Sequence, residues 1–144
     1  MTFSVKARHL PPRIATGLFI INSGIGKLSA DEDAATHLHG FAAGAYPFLN
    51  KLKPKDFTRI LAAAEIALGS VLLVPAVPSI VVGAGLTAFS GGLVGLYART
   101  PGMRKEGSIF PTQEGTPLFK DMWMTGIGVG LIVDELTDHG CCRR

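Results

Sequence analysis

RILAAAEIALGSVLLVP, Arg59–Pro75, is apolar along most of its length, yet it carries a carboxylate at Glu65. The run reads as a helix, and Glu65 sits eight residues beyond Phe57, which at 1.5 Å per residue is about 12 Å along the axis. That depth lies inside the hydrocarbon of a bilayer, where an exposed charge costs from about 2.5 to well above 10 kcal/mol. A carboxyl group there has to face other helices and be paired or protonated. Ala62 at i−3 and Gly69 at i+4 leave its face low enough for a partner helix to come close.

The rest of the composition points to the same solvent. Of the 144 residues 47% are hydrophobic and only 17% are charged, against about 25% charged in an ordinary soluble domain; the mean hydropathy is +0.34. The net charge is +3, but the Lys and Arg residues fall between apolar runs, as in juxtamembrane loops. No helix-turn-helix, RNA-binding or zinc-finger pattern accompanies them, so nucleic acid is not an expected partner. The expected fold is all-α: one integral membrane domain over residues 1–144, built as a four-transmembrane-helix bundle.

The spans are expected at about 13–28, 57–75, 78–97 and 117–136. The first, RIATGLFIINSGIGKL, follows Pro11 and Pro12, which suit a helix start. It is short, and Arg13 and Lys27 are expected to snorkel outwards from its ends. A signal peptide is the rival reading of this run, countered by NSGIGK before any cleavage point. Between the second and third spans lies only PAVP, Pro75–Pro78, which breaks the helix and reverses the chain. Trp123 in the fourth suits a membrane interface. The 28–57 connection is too long for a tight turn. Its centre, ATHLHGFAAGAYPFLN, reads as an extra helical segment at the interface or over the bundle mouth, followed by the basic KLKPK.

Four spans put both termini on one side. The loops carry more Lys and Arg than the tails, whereas the first span alone has more before it than after it. These two signals oppose each other and set no orientation. Gly17 and Gly24, Gly91 and Gly95, Ala84, Ala88 and Gly92, and Gly126 and Gly130 read as close-packing seams, within the bundle or towards a second copy in a homodimer. GIGVG, Gly126–Gly130, lacks the spacing of a dinucleotide loop.

For Glu65 the expected partner is Lys27, with Asn22 and Ser23 as neutral alternatives; Lys120, with Asp121 beside it, arrives at the same end of the bundle. His37 and His39 have no third ligand at convincing spacing, so no metal site is assigned. His9 and His139 fall in the tails. Cys141 and Cys142 are adjacent and cannot frame a fold; they are candidate redox thiols. No nucleophile–base arrangement is present, so no catalytic residue is assigned and enzymatic activity stays an open question.

Arg13, Gly17, Ser23, Gly24 and Lys27 in the first run, Glu65 and Gly69 in the second, and Lys120 opening the last form a pattern over Arg13–Leu136. In that pattern the chain resembles the DoxX family of small bacterial four-helix membrane proteins. The resemblance implies a multi-pass protein of the bacterial inner membrane. Some members belong to membrane oxidoreductase systems concerned with thiol or oxidative stress, and one is a subunit of a thiosulfate:quinone oxidoreductase. The expected function is therefore an accessory or quinone-linked component of a membrane oxidoreductase complex, with lipid and membrane proteins as partners and quinone as the candidate cofactor. The alternatives are a small-solute or proton-coupled transporter, which four short spans would require to dimerise, and a non-catalytic membrane scaffold.

Overall fold

The structure, a computed structural model, describes residues 6–141, with side chains as far as Asp138. Among these residues the chain is helical, with no strand beyond an isolated bridge between Arg104 and Pro111. Six helices follow one another: α1 (Leu10–Leu28), α2 (Glu32–Ala45), α3 (Pro54–Leu73), α4 (Ser79–Arg99), α5 (Thr116–Lys120) and α6 (Met122–Cys141).

Their ends follow local chemistry. α1 has Pro11 and Pro12 in its first turn and α3 starts on Pro54, where the missing N–H is no loss. Asp31 caps α2, accepting from the Ala34 amide at 2.8 Å, and Glu32 and Asp33 follow in the first turn, where the helix dipole favours negative charge. Pro75 and Pro78 bracket a turn closed by Val77 N–H donating to the Val74 carbonyl at 3.2 Å. The expected last span is two segments: the chain breaks at Asp121, between α5 and α6.

α1 packs chiefly on α3 and α4 chiefly on α6, both antiparallel, and the two pairs touch each other far less. α3 and α4 are joined by the tight turn but are not each other's main partner. Glycine sets both close seams. A Cβ on Gly69 would stand 2.7 Å from the Gly17 carbonyl oxygen, and one on Gly83 2.7 Å from that of Gly128; Gly24 meets Ala62 and Glu65 in the same manner. Part of the expected small-residue pattern takes no part in the seams within the chain. Gly91, Gly92, Gly126 and Gly130 have nothing within 4 Å of a built Cβ, and Ala84 and Ala88 are exposed. The α4–α6 seam runs instead through Gly83 and Gly128, on the side of α4 that also carries Leu86 and Ser90. Ile20, Leu72, Val82, Leu86 and Met124 fill the centre between the pairs.

α2 forms in the long 28–57 connection, as expected, and packs on α3 and α4. The 100–115 connection is ordered by a small hairpin, with Lys105 N–H bonded to the Phe110 carbonyl at 3.0 Å and Tyr97 Oη donating to that of Ile109 at 2.8 Å. Among the described residues α4 alone is long and apolar enough to cross a membrane by length and composition. The other expected spans carry charge within their length: Arg13 and Lys27 in α1, Arg59 and Glu65 in α3, Asp134 and Glu135 in α6.

The seams generate a prediction. Gly69→Ala and Gly83→Ala should each lower stability by about 1–3 kcal/mol through overpacking. Gly126→Ala and Gly130→Ala should be neutral, or stabilising by up to about 1 kcal/mol through helix propensity. Thermal unfolding of the four variants checks this; equal effects in both groups would contradict the assignment of the seams.

Candidate functional site

Ser23 and Lys27 are one helical turn apart on α1, and Gly24 brings that stretch against α3. Lys27 Nζ donates to Ser23 Oγ at 2.8 Å and to Glu65 Oε2 at 3.0 Å. Glu65 is 4% exposed, so its charge is held by the ammonium rather than by solvent. The close approach at Gly24 is what makes the pair reachable. A side chain there would push α1 away from Ala62 and Glu65.

The pair lies in the wall of a cavity of about 410 Å³ between the two helix pairs. Phe19, Phe41, Phe57 and Phe89 supply aromatic walls, Leu93 and Met124 the far side. α2 roofs it. Tyr46 at the end of α2 donates from Oη to the Gly92 carbonyl at 2.8 Å, and Arg99 lies over its ring at 5.1 Å, which ties the roof to α4. Phe19 also meets Trp123 edge to face at 5.7 Å, across the gap between α1 and α6. Asp121 lines the cavity from the break between α5 and α6, near enough for the charges of Lys27 and Glu65 to act on it. One cation and two acidic side chains thus share an apolar chamber, a set able to hold a ligand's polar head or to take up a proton.

Two expected site residues lie elsewhere. Asn22 is exposed on α1, because one residue's step of about 100° turns it off the face that carries Ser23 and Lys27. Lys120 is exposed as well; α5 ends there, and the chain turns Asp121 into the chamber in its place. His37 is exposed, and His39 bonds the Leu49 carbonyl at 2.9 Å and meets Phe57 edge-on at 5.5 Å. Cys142 lies outside the described residues, as do the side chains of Cys141 and His139.

A second polar cluster, at the other end of the bundle, corrects the expectation for Arg13. Instead of snorkelling it is 1% exposed. Its Nε donates to the Leu72 carbonyl at 2.9 Å, Nη2 to that of Val74 at 2.8 Å, and Nη1 to that of Val77 at 3.0 Å and to Ser79 Oγ at 3.3 Å. These are carbonyls that the end of α3 and the following turn leave without helical partners. His9 is no tail residue either: it is 4% exposed, with Nδ1 2.8 Å from Ser79 Oγ and Nε2 2.7 Å from Asp134 Oδ2. A signal for Arg13 existed in the sequence, since Thr16, Gly17, Ile20 and Gly24 follow it on one helical face, the face that packs.

In comparisons with known proteins, no family model, curated protein or solved structure matches this chain.

Lys27→Met leaves the Glu65 carboxylate without its buried partner and should cost on the order of 3 kcal/mol. Adding Glu65→Leu should recover most of that loss. Unfolding midpoints of the single and double variants test the pairing; a double variant less stable than Lys27→Met would refute it.

Proposed function

We propose that the chain is a DoxX-like four-span protein of the bacterial inner membrane, and that its central chamber takes a quinone headgroup as part of a membrane oxidoreductase complex. The observation that carries this reading is the inverted distribution of polarity around the chamber. Arg13, Thr16, Glu65, Ser79 and Ser90 are each less than 5% exposed, whereas Leu18, Ile25, Ile60, Val81 and Val133 are each more than half exposed. In water the apolar stripe of a helix turns inward and the charged face outward; here the helices present their aliphatic faces to the surroundings. α1, α3, α4 and α6 have 19, 20, 21 and 20 residues, lengths of about 30 Å at 1.5 Å per residue, which suit a hydrocarbon core of about 30 Å. Charged groups within such helices belong against the bundle interior, where Lys27, Glu65 and Arg13 lie.

The chamber suits the chemistry of a quinone. The flat, apolar ring fits between Phe19, Phe41, Phe57 and Phe89, Lys27 can donate to one carbonyl oxygen, and the acidic pair can receive protons that the dihydro form releases on oxidation. The contribution of this chain is to bind, orient and exchange protons; the electron acceptor or donor belongs to a partner. A scaffold would need the Lys27–Glu65 pair but not an aromatic chamber of this size.

Trp123 is the protein's sole tryptophan and touches the chamber wall through Phe19, which makes it a reporter. A short-chain quinone titrated into the purified protein should quench its emission saturably. Lys27→Gln should weaken the apparent affinity about tenfold, the worth of the charge-assisted bond from Lys27 to the quinone oxygen. Linear, unsaturable quenching that is identical in both proteins would rule out the site.

A further inference from the structure

The end of the bundle away from the chamber gathers its own donors on one position. Lys6 Nζ lies 2.9 Å from Asp134 Oδ2, 2.9 Å from Glu135 Oε2 and 2.7 Å from Asp138 Oδ2. His9 Nε2 meets the same Asp134 oxygen at 2.7 Å. The ligating atoms of His9, Asp134 and Glu135 all lie within 4.8 Å of one another. Arg8 adds a second cation, 2.9 Å from Asp134 and 2.7 Å from Asp138. Three carboxylates against two cations leave the cluster one negative charge in excess, and the hydrogen bond to Asp138 above all raises the pKa of Lys6. The position favours a cation, and the ammonium is the one now seated in it.

The geometry points to a divalent metal site here, with His9 Nε2, Asp134 and Glu135 as ligands and Asp138 closing the solvent side, the metal taking the place of the Lys6 ammonium. One imidazole with carboxylates is a donor set for ions such as Mn²⁺, Fe²⁺ or Zn²⁺. The imidazole is already oriented for it. Without a metal, Nε2–H donates to Asp134 Oδ2 at 2.7 Å and Nδ1 accepts from Ser79 Oγ at 2.8 Å. A metal taking the Nε2 lone pair leaves the ring proton on Nδ1, which then donates to Ser79 Oγ, the outer hydrogen bond that metal-bound histidines make. Ser79 is held in turn by Arg13. Solvent reaches the position, because the Asp138 side chain is 47% exposed. A metal there would fasten the segment before α1 to the end of α6. The inference stands apart from the quinone reading and does not depend on it.

The test is a titration of the full chain with Mn²⁺ at neutral pH, followed by its electron paramagnetic resonance signal; Mn²⁺ prefers oxygen and imidazole donors to the thiolates of Cys141 and Cys142. Wild-type protein should bind one ion saturably. Lys6→Gln should bind about tenfold tighter or more, having lost the competing charge. Ser79→Ala should bind about tenfold weaker through loss of the outer hydrogen bond. His9→Gln should lose the site, with Asp138→Asn as the exposed variant that weakens binding if His9→Gln does not fold. Mn²⁺ should also raise the unfolding temperature of wild type and Lys6→Gln. Binding by Lys6→Gln no tighter than wild type, or unchanged binding by both His9→Gln and Asp138→Asn, would overturn the proposal and leave an ion-pair clasp alone.

Discussion

A guanidinium carries five N–H donors and keeps its charge at any physiological pH, so burying one commits the surrounding backbone to answer it. Arg13 is answered by the carbonyls of Leu72, Val74 and Val77 and by Ser79. One side chain of α1 thereby fixes where α3 stops, how the chain turns and where α4 begins. It also sets Ser79, which positions His9, which meets Asp134 near the end of α6. The terminal end of the bundle is organised from that single buried charge. Without it, buried backbone carbonyls at the end of α3 would lose a donor, at about 1–3 kcal/mol for each group left unsatisfied.

The opposite end is organised by a complementary device. There the charge is local, Lys27 on Glu65, and the space around it is left open rather than filled. Tight seams and open space arise from the same allocation of residues: glycines at 17, 24, 69, 83 and 128 draw each helix pair together, while large side chains, Phe19, Phe57 and Phe89 among them, line the space between the pairs and Phe41 faces it from α2. Packing within a pair and separation between pairs are what create a chamber at all.

Much of this was legible in the sequence where the pattern is periodic. The helix ends at Pro11–Pro12 and Pro75–Pro78, an extra helical segment within the 28–57 connection, and the reach of Lys27 to Glu65 follow from spacing and turn chemistry. What was not legible depends on distant contacts. Gly91 and Gly126 look as suitable for seams as Gly83 and Gly128, and only the rotation of α4 against α6 distinguishes them. Arg13 at a helix start reads as an outward anchor until the carbonyls of α3, about sixty residues away, are seen to need donors. The break at Asp121 has no proline or glycine to announce it, and His9 looks like tail until α6 returns Asp134 beside it.

The break at Asp121 has a geometric consequence. α5 is one turn and a half of helix; Leu118 is its contribution to the chamber wall, and Asp121, at the break itself, is the next. Because the chain is interrupted there, the two segments are set by different contacts: α6 is held against α4 at Gly83 and Gly128, and α5 packs on α4 by itself. The interruption is what aims the Asp121 carboxyl into the chamber while Lys120, one residue earlier, faces outward.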